Sequence, residues 1–285
     1  MALTKLSTSH TSESIGILKP SQSALSSGPV SFRDVSFAYP SNPNTLTVQS
    51  LNLTIQPGEC VAVVGASGSG KSTIAALLQR LYEPLEGKIR FGDFDVCDVD
   101  VGVLRRGMGV VEQSVKVFED KSVEENILYG RMDVDEARKS EIVRRAAKLA
   151  NLDWISPDEG DGFKAILGEV SGGQAQRIGV ARALARSNDV DEGGIHLLIL
   201  DECTSALDVE NGKQVMEAIT NIRNAEHHES LKMVVVTHKV EVMRMCDRLV
   251  VIKDGHVVED GEYGELMEKK GGVFRELASG GVWES

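Results

Sequence analysis

Gly65-Ala66-Ser67-Gly68-Ser69-Gly70-Lys71-Ser72 sets three glycines, a lysine and a hydroxyl in the order G-x-x-x-x-G-K-S. Those residue types at that spacing make an anion cradle. Glycines let the backbone curl around a phosphate, amides at the start of a following helix point at it, and the helix dipole adds a favourable field. Lys71 is expected to reach the outer phosphates of a triphosphate. The Ser72 hydroxyl, followed by Thr73, is expected to ligate Mg²⁺. The plain structural alternative is a glycine-rich strand-to-helix turn with an exposed lysine. The buried-strand pattern directly ahead of the loop weighs against it.

Two carboxylates, Asp201-Glu202, close the apolar run Leu197-Leu198-Ile199-Leu200. In open parallel sheets ligands lie off the C-terminal ends of the strands. Asp201 is therefore placed to hold Mg²⁺, directly or through water, and Glu202 to take a proton from an attacking water. Alone, such a pair is the start of a solvated loop; beside a phosphate cradle it reads as chemistry. Ser171-Gly172-Gly173-Gln174 opens a further helix through Arg177, Ala181 and Leu184. It is a second anion-seeking helix start, without a lysine, and taken alone it is an ordinary N-cap.

These groups need elements to hold them. Val30, Phe32, Val35 and Phe37 predict one strand, and the alternation of Leu51, Leu53 and Ile55 a second. The unbroken run Cys60-Val61-Ala62-Val63-Val64 suits a strand covered on both faces. A helix is expected over 72–81 and strands over 88–91 and 108–111. A helical block follows over 122–186, in which Ile142, Ala146 and Leu149 mark one buried face. Apolar strands return at 197–200, 233–236 and 249–252, and Asp254-Gly255 turns the last into a hairpin with 256–258. Such alternation means an α/β domain with a mainly parallel sheet, interrupted by a helical lobe. Residues 1–28 are rich in Ser and Thr and read as a flexible tail or linker, with structure beginning near Val30.

The formal net charge of -12 argues against a nucleic-acid binder that works by neutralising phosphates, and against a polybasic membrane-surface protein. No apolar run approaches the ~18 residues that span a bilayer. The first thirty residues lack the apolar stretch of a signal peptide. Cys60, Cys97, Cys203 and Cys246 are widely spaced with no C-x-x-C pair, so reduced thiols are expected rather than disulfides or zinc.

With Val170 in front, Ser171-Gly172-Gly173-Gln174 resembles the L-S-G-G-Q signature of ABC ATPases, and further motifs follow in that family's order. The resemblance covers about residues 30–277. It implies a RecA-like P-loop core with a mainly parallel sheet, an N-terminal antiparallel β-subdomain and an inserted α-helical lobe at about 114–186, all within a domain over 29–280. It implies that ATP·Mg²⁺ lies between the loop Gly65, Ala66, Ser67, Gly68, Ser69, Gly70, Lys71, Ser72 and Thr73 of one chain and Ser171, Gly172, Gly173 and Gln174 of another, head to tail. Tyr39 looks like the aromatic that stacks on adenine. Gln113 resembles the glutamine that senses Mg²⁺ and the lytic water. Ser205-Ala206-Leu207-Asp208 matches the D-loop, and His238 the switch histidine that meets the γ-phosphate.

Phe118 with the run from Ser122 to Gly130, and Val257-Val258-Glu259-Asp260-Gly261 with Glu265-Leu266, are similar to exporters of the multidrug, peptide and fungal pheromone type. The implied function is ATP hydrolysis that powers export. The implied partners are a second nucleotide-binding domain and membrane-spanning domains absent from this chain, which would hold it at the cytoplasmic side of a membrane. The alternatives are a soluble ABC ATPase uncoupled from transport and a nucleotide-dependent regulatory module; the latter would be expected to have lost Glu202 or His238. Departures stand out. Gly168-Glu169 abuts Val170 where the exporter pattern has more residues, Val170 replaces leucine, and 187–194 looks like an acidic insertion. Cys203 stands where alanine is usual, and neighbouring carboxylates are expected to disfavour its thiolate.

Overall fold

Two sheets share one layer of apolar side chains. The computed structural model describes residues 16–131, 135–155, 162–186, 195–204, 207, 209–223 and 230–279. The first sheet is antiparallel, in the order β2-β1-β4-β5, built from β1 (Val30–Phe37), β2 (Val48–Ile55), β4 (Glu86–Phe91) and β5 (Phe94–Asp95). The second is six-stranded, in the order β10-β9-β3-β8-β7-β6. It contains β3 (Cys60–Val64), β6 (Met108–Val111), β7 (Leu197–Asp201), β8 (Lys232–Val236), β9 (Arg248–Lys253) and β10 (His256–Gly261). Its strands run parallel from β9 to β6, with only the hairpin strand β10 reversed.

Burial on both faces explains the unbroken apolar runs. Every residue of β3 and β8 is buried, and successive side chains of one strand serve different cores. Val61 and Val63 join Leu197 and Ile199 in the core beneath the antiparallel sheet, with α2 (Lys71–Leu78). Leu198 and Leu200 face the core beneath the helical lobe, formed with α4 (Val123–Ile127), α5 (Glu136–Leu149), α6 (Gly172–Ala185) and α7 (Val209–Arg223). Ala62 and Val64 pack on α9 (Tyr263–Glu268) and α10 (Val273–Ser279). In α5 the expected face is buried through Ile142 and Ala146, with Leu149 packed at its edge.

Two expectations need correction. The helix predicted over 72–81 spans Lys71–Leu78. Arg80 then adopts φ +50°, and its guanidinium donates to the Val99 carbonyl. The second concerns the residues ahead of Val30. Within 16–28, Leu18 pairs with Val99, and α1 (Gln22–Ser26) is capped by Ser21, whose side chain accepts from the Ala24 amide. Leu25 is fully buried, a gain of about 1.5–3 kcal/mol for a side chain of that size. Lys232 Nζ, on β8, donates to the Ser26 carbonyl at 2.7 Å. An average over a Ser-rich stretch hides one leucine whose partners lie far away in sequence. Residues 1–15 lie outside the described residues, as do 187–194.

Candidate functional site

The glycine loop leaves β3 and enters α2, as the sequence requires. Gly70 caps the helix at φ +108°, where an added Cβ would meet the Thr47 carbonyl oxygen at 2.8 Å, so no other residue fits. No side chain caps α2, which leaves its first amides available to an anion. Lys71 is buried and its Nζ donates to the carbonyls of Gly65 and Ala66, both at 2.9 Å, so the ammonium sits inside the curl of the loop. Burial lowers its pKa, opposed by the charges of Glu202 and Asp201.

β7 delivers the two carboxylates at the same end of the sheet. Burial raises the Asp201 carboxyl above its ordinary value, and Glu202 and Glu112 add to the rise, while a hydrogen bond from Ser72 and the charge of Lys71 oppose it. Asp201 Oδ1 and Ser69 Oγ are buried with no hydrogen-bond partner. An orphaned oxygen on a carboxylate that also meets the Ser72 hydroxyl fits a divalent cation that completes its shell with phosphate oxygens and water. Among the described residues no group of three or more His, Cys, Asp or Glu could hold a metal alone, so Asp201 and Ser72 would hold such a cation only together with a phosphate ligand.

Glu202 turns off the strand in the left-handed region, φ +48°, a strain of about 1–3 kcal/mol for a non-glycine residue. Its amide continues the ladder to the Val236 carbonyl at 2.9 Å, and its Oε1 lies 3.8 Å from His238 Nδ1. His238 is carried just past β8, which ends at Val236. A cavity of about 410 Å³ gathers these groups. Thr47, the loop residues Gly65 to Gly68, Gly70, Lys71, Ser72, Thr73, Glu202 and His238 line it. Thr47 was not foreseen, because only the fold of β2 over the loop brings it there.

Other predicted residues stand apart from that cavity. Tyr39 lies beside α2, its hydroxyl 3.0 Å from Thr73 Oγ1 and its ring edge-on to Phe37 and Tyr82, with centroids at 5.0 and 5.2 Å. Gln113 is exposed beyond β6 and does not line the cavity. Gln176 of α6 holds the backbone there, its Nε2 donating to the carbonyls of Gln113 at 2.5 Å and Glu112 at 3.2 Å. Sequence reasoning missed Gln176, for its spacing resembles any polar helix position.

Ser171, Gly172, Gly173 and Gln174 open α6 away from the cavity. Here Gln174 acts locally. Its amide donates to Ser171 Oγ at 3.2 Å, and its Oε1 accepts from the Ser171 amide at 2.9 Å, a closed capping box. Further along α6, the buried Arg177 guanidinium stacks 4.5 Å over Trp154. Asp208, with Ser205 and Ala206, lies outside the described residues. Burial, more than neighbouring carboxylates, pushes the Cys203 thiol up to about 12.

Residues 48–205 match the family described as ABC transporter. The chain belongs to that family. Over 257 residues it is 38% identical to ABC transporter B family member 14 of Arabidopsis thaliana, covering 88% of this chain and 19% of that one. Over 256 residues it is 39% identical to the ATP-dependent lipid A-core flippase of Chromobacterium violaceum, covering 88% and 41%. The solved structure of a bacterial Atm1-family ABC exporter with ATP bound aligns at a TM-score of 0.73 and 30% identity, over 88% of this chain and 42% of that one. This ABC transporter chain thus spans less than half the length of those relatives. No described helix is long and apolar enough to cross a membrane.

Proposed function

We propose that the chain binds and hydrolyses ATP with Mg²⁺ and powers export as one of two nucleotide-binding domains joined to membrane-spanning domains. The observation that carries this reading is the cavity in which Lys71, Ser72, Glu202 and His238 converge, beside the unpartnered Asp201 oxygen, at the C-terminal end of a parallel sheet. A regulatory module without catalysis is less well supported, because both Glu202 and His238 line that cavity.

Each residue's role follows from its position. The uncapped amides of α2 bind phosphate oxygens, and Lys71 exchanges its hydrogen bonds to the Gly65 and Ala66 carbonyls for the terminal phosphates. Asp201 and Ser72 would hold the Mg²⁺. When bound, that ion supplies charge neutralisation of the phosphates. Glu202 accepts the proton of the attacking water, and His238, which lines the same cavity and faces Glu202, orients against the terminal phosphate. Ser171, Gly172 and Gly173 lie outside the cavity, so they serve the nucleotide of a second domain, head to tail.

Steady-state ATP hydrolysis with and without Mg²⁺ tests the activity. Glu202→Gln is expected to lower turnover by about 10²–10⁴-fold while ATP binding persists and a stable ATP-dependent dimer accumulates. Undiminished turnover in that variant would refute the assignment of the base.

A further inference from the structure

Cys60 and Cys246 stand 186 positions apart in sequence, yet their sulfurs lie 3.5 Å apart, with the Cys60 thiol donating to Cys246 Sγ. The Cys246 thiol donates onward to the Val242 carbonyl at 3.4 Å. The backbone enforces this approach. Cys60 begins β3, and its neighbour Val61 is in register with Arg248 of β9. The Asp247 amide donates to the Cys60 carbonyl, and the Cys60 amide to Asp247 Oδ2, both at 2.9 Å. These reciprocal bonds clamp the first residue of one strand to the residue following Cys246. Exposure divides the labour: Cys60 is 2% exposed, whereas Cys246 is only half-buried at the end of the segment after α8 (Val240–Met243). The other two thiols are poor nucleophiles, since burial pushes Cys97 up to about 11 and Cys203 up to about 12.

We propose that Cys60 and Cys246 form a reversible disulfide when the protein meets a peroxide. The Cys246 thiolate attacks one peroxide oxygen. The O–O bond breaks, the departing hydroxide takes up a proton as water, and Cys246 becomes a sulfenic acid. Cys60, having given up its proton, then attacks the sulfenic sulfur. The S–O bond breaks, and the second hydroxide leaves with that proton as water. Two thiols lose two protons and two electrons, and the peroxide gains them; a dithiol reductant reverses the step by exchange. The bond ties the strand that runs into the glycine loop to the segment that follows His238. Neither cysteine lines the nucleotide cavity, so its effect is on the stability of this sheet rather than on ligand contacts. Closing so long a loop restricts chiefly the unfolded chain.

Oxidation of the full chain with a small excess of hydrogen peroxide tests the proposal. The expected product is a monomer on a non-reducing gel, lighter by two hydrogens, with reactive thiols in denaturant reduced from four to two. Digestion should yield one cross-linked peptide joining Cys60 to Cys246, and the oxidised protein should melt at a higher temperature that dithiothreitol reverses. Cys97→Ser should leave this behaviour intact. Cys246→Ser, at a partly exposed position, should abolish both the cross-link and the melting shift, and Cys60→Ser should do the same. Four surviving thiols, or a two-hydrogen loss that persists in Cys246→Ser, overturns the proposal, and either variant alone suffices to decide.

Discussion

The molecule contains two helix starts rich in glycine and serine, and they are finished differently. At α2 the cap is Gly70, no side chain satisfies the first amides, and a buried lysine fills the loop. At α6 the cap is Ser171, and Gln174 closes a reciprocal box that satisfies the amides of Ser171 and Gln174. The first end is left incomplete inside a cavity that also holds Glu202 and His238. The second is capped by its own side chains at Ser171 and Gln174 and faces outward, with Ser171 and Gly172 exposed. An unfinished helix start carries a cost that a ligand offsets, whereas a finished one binds only what approaches it in the right geometry. Asp201 Oδ1 and Ser69 Oγ, buried without partners, belong to the unfinished side.

The largest effect should come from the cradle. Lys71→Ala removes the cation that the loop encloses, and ATP affinity should fall by about 100-fold in a nucleotide titration. An unchanged dissociation constant would mean that the amides of α2 suffice, and the contrast between the two helix starts would lose its force. Next comes Gly172→Ala. Among the described residues an added Cβ there meets only Leu207, at 3.7 Å, an ordinary van der Waals contact. On the proposed head-to-tail pairing, turnover should nevertheless drop by about tenfold while the ATP affinity of the single chain is unchanged, because the close approach it blocks is to a second domain. Equal losses in affinity and turnover would place the signature and the loop in one site.

The smallest effects are opposite in sign. The folded pKa of Asp201 lies above its unfolded value. The native state therefore holds that proton more tightly, and stability falls as pH rises through the window between the two values. The penalty grows as pH rises above the unfolded value. Asp201→Asn should accordingly raise the melting temperature of the nucleotide-free protein by about 2–4 °C at pH 7. That gain should vanish below about pH 4, where the unfolded carboxylate is protonated too. Ser171→Ala removes a cap worth about 1 kcal/mol and should lower the melting temperature by about 2–4 °C. Calorimetry of the two variants side by side is the measurement; a shared sign would contradict the distinction between an unfinished and a finished helix start.

Much of the site was legible because its information is local. A glycine loop between a buried strand and a helix is written in consecutive residues, and so is a carboxylate pair at the end of an apolar run. Thr47 and Gln176 were illegible for the opposite reason: each acts on a loop distant in sequence through contacts that only packing creates. The tail reading failed at Leu25 on similar grounds. Composition measures what a segment offers, whereas burial depends on what waits for it, here a leucine-sized place in the core and the Lys232 ammonium reaching Ser26. The four cysteines, widely spaced in sequence with no C-x-x-C pair, include two that β3 and β9 bring to within 3.5 Å.

By itself the amino-acid order determined the strand and helix alternation, the phosphate-seeking loop and the two acids, because hydrophobic period and backbone permissiveness act over a few residues. Tertiary structure alone decided that Lys71, Glu202 and His238 share one cavity and that the Ser171 turn does not. It also decided which sulfurs meet. Strand order in a parallel sheet is set by crossovers tens of residues long, and no local pattern encodes which strand lies beside which.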